Sequence, residues 1–139
     1  MTAKEYLRQY ARAKTRAEIF KTEYEKEKNL IDTIRAAGSG DGTPSSGRIS
    51  SPTEQKAIRL ADKLTDYQNA ELEALELKRE ILWMIELLQG DCATVLYERY
   101  INLKSWQEVA DEIGYSLRQT HRFHQEGLGL IDMALNGTF

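Results

Sequence analysis

The ten residues from Ser116 to Gln125 contain Arg118, His121, Arg122 and His124 and no acid. If the stretch is helical, the side chains of Arg118, Gln119, His121, Arg122 and Gln125 point away from an apolar side formed by Leu117, Phe123 and Leu128. An arginine so placed can donate a forked pair of hydrogen bonds to the edge of guanine, and a glutamine can bond adenine in the same bidentate way. Arg118, Gln119 and Arg122 are therefore the first candidates for base contacts in a major groove, with His121 and Gln125 beside them. Ser116 at the head of this helix, and Lys104 near the head of the preceding one, suit phosphates, which position a protein without specifying sequence.

Other chemistries find less to rest on. His121 and His124 are three apart, but no cysteine or acid completes a metal-ligand set at motif spacing, so no metal is expected. Trp106 could stack on a base, yet in the first turn of a short helix it fits better as a packing residue. No glycine-rich phosphate loop, nucleophile motif or carboxylate pair in a cleft is recognisable, which argues against an enzyme and against a cofactor. Cys92 is the single cysteine, leaving no internal disulfide. No apolar run approaches the roughly 20 residues that cross a bilayer, and the N-terminus lacks a secretory core, so a cytoplasmic protein without membrane contact is expected.

Charge pulls the other way. The chain of 139 residues carries a net charge of −3, whereas nucleic-acid binders usually show a basic excess. Residues 1–37 hold nine Lys and Arg against six acids, and residues 91–139 hold four against seven. The segment with the candidate base contacts is thus the acidic one, and only its 116–125 stretch is locally basic.

The elements that must position these side chains are helical. Leu, Glu, Ala, Lys and Arg dominate, and the two prolines sit close together, which predicts an all-α fold. From Thr2 to Ala37, apolar residues recur at alternating steps of four and three (Tyr6, Tyr10, Ala13, Ala17, Phe20, Tyr24, Ile31 and Ile34), with Glu27 breaking the series. A Gly/Ser/Thr/Pro-rich segment over 38–51 predicts a flexible loop. Ser51, Pro52 and Glu54 then make a helix start. The second helix runs to about Leu88, with Leu60, Leu64, Tyr67, Leu72, Leu75, Ile81, Leu82, Ile85 and Leu88 as a broad stripe and Gly90 as its stop. Two such helices would form a long antiparallel hairpin of coiled-coil type over residues 1–90. The second stripe is wider than one seam requires, which predicts a homo-oligomer, most simply a dimer, the alternative being that the stripe packs on the C-terminal domain of its own chain.

Over residues 91–139 the signals are local and closely spaced. Asp91 caps a short helix through Ile101, Ser105 with Glu108 starts a second, and Ser116 with Gln119 starts a third that continues to about Leu135. Ala110 is small where two helices cross, and Gly114, four residues on, can take the left-handed conformation of a turn. Val109, Ile113, Leu117, Phe123 and Leu128 would close a small core. Short helix, tight turn, longer helix is the helix-turn-helix order.

Tyr97, Arg99, Tyr100, Ser105, Trp106, Glu108, Val109, Ala110, Ile113, Gly114, Ser116, Arg118, Arg122, His124 and Leu128 together resemble the helix-turn-helix of sigma-factor region 4. With the helical pair and Gly/Ser loop ahead of it, the chain resembles the ArpU-type late transcription regulators of phage and prophage. The resemblance covers about 40 residues well and implies DNA binding in phage gene control. Thr120 and Gly127 depart from the pattern, which expects a β-branched aliphatic and an alanine there. They predict weaker packing and, with Gly129, a recognition helix bent or ended early.

The expected function is a sequence-specific DNA-binding transcriptional regulator, with double-stranded DNA as partner. A small terminase subunit would use a similar motif for DNA packaging. A coiled-coil module docking on host RNA polymerase would suit the acidic C-terminal segment.

Overall fold

The structure is a computed structural model that describes residues 1–38 and 51–137, with side chains at 1–37 and 54–137. Five α-helices follow in order: α1 (Ala3–Gly38), α2 (Ser51–Glu86), α3 (Asp91–Leu96), α4 (Trp106–Ile113) and α5 (Leu117–Leu135), with a π-helical turn over Tyr97–Ile101 continuing α3. The fold is all-α, and no strand occurs among the described residues. Of the loop expected over 38–51, Gly38 and Ser51 belong to α1 and α2 and the rest falls outside the described residues, as does the side-chain cap expected of Ser51.

Thr2 and Glu5 start α1 with a reciprocal capping box. The Glu5 amide donates to the Thr2 hydroxyl over 3.2 Å, and the Thr2 amide donates to Glu5 Oε2 over 3.0 Å. At its other end, α2 stops at Glu86, two residues short of the expected Leu88. The Leu87 and Leu88 amides turn back to the carbonyls of Met84 and Ile85, a tightened final turn. Gly90 has a φ of 79° and is itself the N-cap of α3. Asp91 is therefore not the cap expected of it. Its carboxylate instead accepts a hydrogen bond from the Tyr115 hydroxyl over 3.1 Å.

Two compact units emerge, Met1–Lys14 with Glu73–Phe139, and Thr15–Leu72. This division differs from the expected one at Gly90, for a physical reason. Helices α3 to α5 are too short to enclose a core alone, and Leu7, Tyr6, Tyr10, Ile81, Ile85 and Leu88 join Leu96, Tyr100, Ile101 and Ile131 in one buried cluster. Leu7, Ile81, Leu96 and Ile131 are fully buried, and each such side chain contributes about 1.5–3 kcal/mol by leaving water. The Ala3 amide donates to Asp132 Oδ1 over 2.7 Å, fastening the start of α1 to α5.

The unit Thr15–Leu72 is an antiparallel pair. Tyr24 stacks on Tyr67 with ring centres 6.4 Å apart, and Lys63 pairs with Glu23 and Glu27 at 3.9 and 3.8 Å. Glu27, the break in the heptad series, thus faces a lysine of the opposite helix. Further along, Ile31 and Ile34 share a groove with Lys56, Ala57 and Leu60. Not all of the expected α2 stripe lies in the seam: Leu72 and Leu75 are about half exposed, whereas Ala70 and Ala74 are buried. Small residues occupy the buried line there and the leucines stand beside it.

Candidate nucleic-acid interface

The turn between α4 and α5 is built from local hydrogen bonds. Ser105 caps α4 by accepting from the Glu108 amide, and Ser116 caps α5 by accepting from the Gln119 amide over 3.1 Å. Between them Gly114 takes φ 75° and ψ 27°, and the amides of Gly114 and Tyr115 both donate to the Ala110 carbonyl. A Cβ at Gly114 would meet nothing within 4 Å. Glycine is therefore needed here for its backbone angle, not for space.

On its inner side α5 buries Thr120, His124, Gly127 and Ile131. The Thr120 hydroxyl donates to the Ser116 carbonyl over 2.8 Å, so its burial leaves no polar group unpaired. At Gly127 a Cβ would lie 2.8 Å from Leu96 Cδ1. The expectation that these two residues weaken packing and shorten the helix is therefore corrected. Threonine satisfies itself on the backbone, glycine permits close approach of α3, and α5 runs unbroken to Leu135.

His124 Nε2 lies 2.7 Å from the buried Tyr100 hydroxyl. Burial, then the positive charges of Lys4, His121, Arg99 and Arg8, lower its pKa to about 4. At neutral pH it is an uncharged hydrogen-bonding core residue. Trp106 seals this pair from above: its ring centre is 4.6 Å from that of His124 and 4.5 Å from that of His121, with the Arg99 guanidinium 4.7 Å over it. Trp106 is thus engaged in packing. Among the described residues, no group of three potential metal ligands occurs.

The outer side of α5 presents Arg118, His121, Arg122 and Gln125, all exposed, with Gln119 half-buried at the margin and Ser116 exposed at the head. Arg118 and Arg122 make no ion pair among the described residues. Leu117, expected in the core, is 42% exposed. Tyr115, itself 44% exposed, meets Phe123 edge to face at 5.1 Å beside the turn. Its tight-turn position gave no periodic signal.

Lys104 is placed differently from the other candidates. Its Nζ lies 2.6 Å from Glu98 and 3.6 Å from Glu112. The Glu98 hydrogen bond raises its pKa, burial opposes this, and Glu112 adds to the rise. Glu98 is buried, and although burial alone would push its carboxyl up, hydrogen bonds from Lys104 and Asn102 bring it below the usual range. The lysine charge is thus neutralised within the chain, on a surface shared with Glu108 and Asp111.

No protein-family model, curated protein or solved structure matches the chain. What the arrangement can do follows from its geometry. A capped helix offers two arginines with no ion pair among the described residues, a glutamine and a histidine on one open side, and its opposite side is locked by Thr120, His124 and Gly127. No helix among the described residues is long and apolar enough to cross a membrane.

Proposed function

We propose that the chain is a sequence-specific DNA-binding regulator of transcription, of the ArpU-type phage and prophage kind, whose helix α5 enters the major groove. The observation that supports this most is the open arc of Arg118, His121, Arg122 and Gln125 on a helix whose entry is fixed by Ser116 and Gly114. Arginines with no internal carboxylate partner lose little when they donate to guanine edges or phosphates. Lys104, tied to Glu98 and Glu112, contributes through the fold and not as a phosphate contact.

We further propose a dimer. Leu75, Trp83 and Leu87 on and just after α2 are 50%, 60% and 55% exposed, an apolar set that a second copy would cover. Two recognition helices spaced by about one duplex turn, roughly 34 Å, would then read paired half-sites.

Enrichment of random duplex DNA on the purified protein tests the reading. A recovered consensus is expected, and Arg118→Ala should relax preference at one base position at a cost of about 1–3 kcal/mol. Absence of any consensus, or an Arg118→Ala protein with unchanged preference, would overturn it. The acidic surface of Glu108, Asp111 and Glu112 favours a second reading, docking on a basic protein surface such as one of RNA polymerase. That reading predicts polymerase capture that survives Arg118→Ala.

A further inference from the structure

The acidic balance of residues 91–139 is the main physical objection to DNA binding, and the first helix answers it. In α1 the buried side chains Ala3, Tyr6, Leu7 and Tyr10 fix which way every other residue points. Tyr6 faces α2, where burial and then the negative charge of Glu80 raise its pKa. One step round the helix, past Leu7, come Lys4 and Arg8, four residues apart and both exposed. The hydrogen bond from the Ala3 amide to Asp132 Oδ1 at 2.7 Å holds this end of α1 against α5. The positive fields of Lys4 and Arg8 both reach His124, together with those of Arg99 and His121. Neither Lys4 nor Arg8 makes an ion pair among the described residues.

We propose that Lys4 and Arg8 belong to the DNA-contacting surface and bind backbone phosphates flanking the bases met by α5. The inference rests on the proposed function and extends it to a helix far away in sequence. Two cations held beside a recognition helix supply sequence-independent affinity, because each phosphate they neutralise releases condensed counterions. The surface is therefore composite: α5 carries the base contacts and α1 supplies charge that residues 91–139 lack.

The test is a salt titration of duplex binding by the full chain, using the enriched duplex and a mixed-sequence duplex of the same length. For the Lys4→Ala/Arg8→Ala protein, the slope of log affinity against log salt should fall by about two. Affinity for both duplexes should drop several-fold alike. Lys21→Ala/Lys28→Ala, which removes the same charge elsewhere on α1, should change neither quantity. Lys4→Gln/Arg8→Gln should repeat the loss with the unfolding midpoint of the parent, and Lys4→Arg/Arg8→Lys should restore binding. If Lys4→Ala/Arg8→Ala kept the parent slope, or behaved like the remote pair, while Arg118→Ala/Arg122→Ala abolished binding, the inference would fail and the role of α5 would stand. If the parent protein bound neither duplex at low salt, both would fall.

Discussion

At the scale of single residues, Gly127 and His124 carry the sharpest consequences. A methyl group at Gly127 would sit 2.8 Å from Leu96 Cδ1, in a core where Leu96 is fully buried. Gly127→Ala is expected to destabilise by about 1–2 kcal/mol net, overpacking against the buried Leu96 outweighing the roughly 1 kcal/mol that alanine gains in helix propensity, read as a lowered thermal midpoint. Leu96→Val alongside it should recover part of the loss, and a Gly127→Ala protein as stable as the parent would show that the two helices part easily. His124 makes stability depend on pH with a definite sign. Its pKa is about 4 in the fold against an ordinary 6.5, so between these values the unfolded chain binds a proton that the folded one does not. Stability from this group is therefore complete above about pH 6.5 and falls as pH drops toward 4, by at most about 3 kcal/mol. Urea midpoints for the parent and His124→Gln should converge as pH falls through that window. Parallel curves would mean that the buried histidine is not responsible.

At the scale of elements, the helix starts are set by short stretches of chain. Gly114→Ala should cost about 1–2 kcal/mol, because an L side chain is strained at φ 75° even though no atom stands in its way. Equilibrium unfolding measures this directly, and a neutral substitution would mean that the turn can adopt other angles. The same locality explains what could be read from sequence. Ser105, Ser116 and Gly114 announce α4, α5 and the turn because each acts on residues no more than four positions away. Residues acting through tertiary neighbours gave no such sign: Gly127 looks like a helix breaker until Leu96 is beside it, and Lys104 looks free until Glu98 and Glu112 surround it. Leu72 and Leu75 fitted a broad apolar stripe, but which leucines enter a seam depends on where small residues such as Ala70 and Ala74 let helices approach. Lys4 and Arg8 belong to a part of the sequence over a hundred residues from α5, so spacing alone could not relate them to it.

At the scale of the whole molecule, the exposed apolar side of α2 bears on assembly. The mass in solution is expected to be twice the 15.9 kDa of one chain, and Leu75→Lys/Trp83→Lys should return it to that of a monomer by placing charge in a desolvated contact. Light scattering that found the parent monomeric at high concentration would remove the dimer from the proposal. The positions of the two tryptophans have a practical corollary. Trp106 is wedged among His121, His124 and Arg99 beside α5, while Trp83 is 60% exposed on α2. Their intrinsic fluorescence therefore reports on two different events. Emission from a Trp83→Phe protein would follow a duplex settling against His121, and emission from a Trp106→Phe protein, with its access to an iodide quencher, would follow the meeting of two chains.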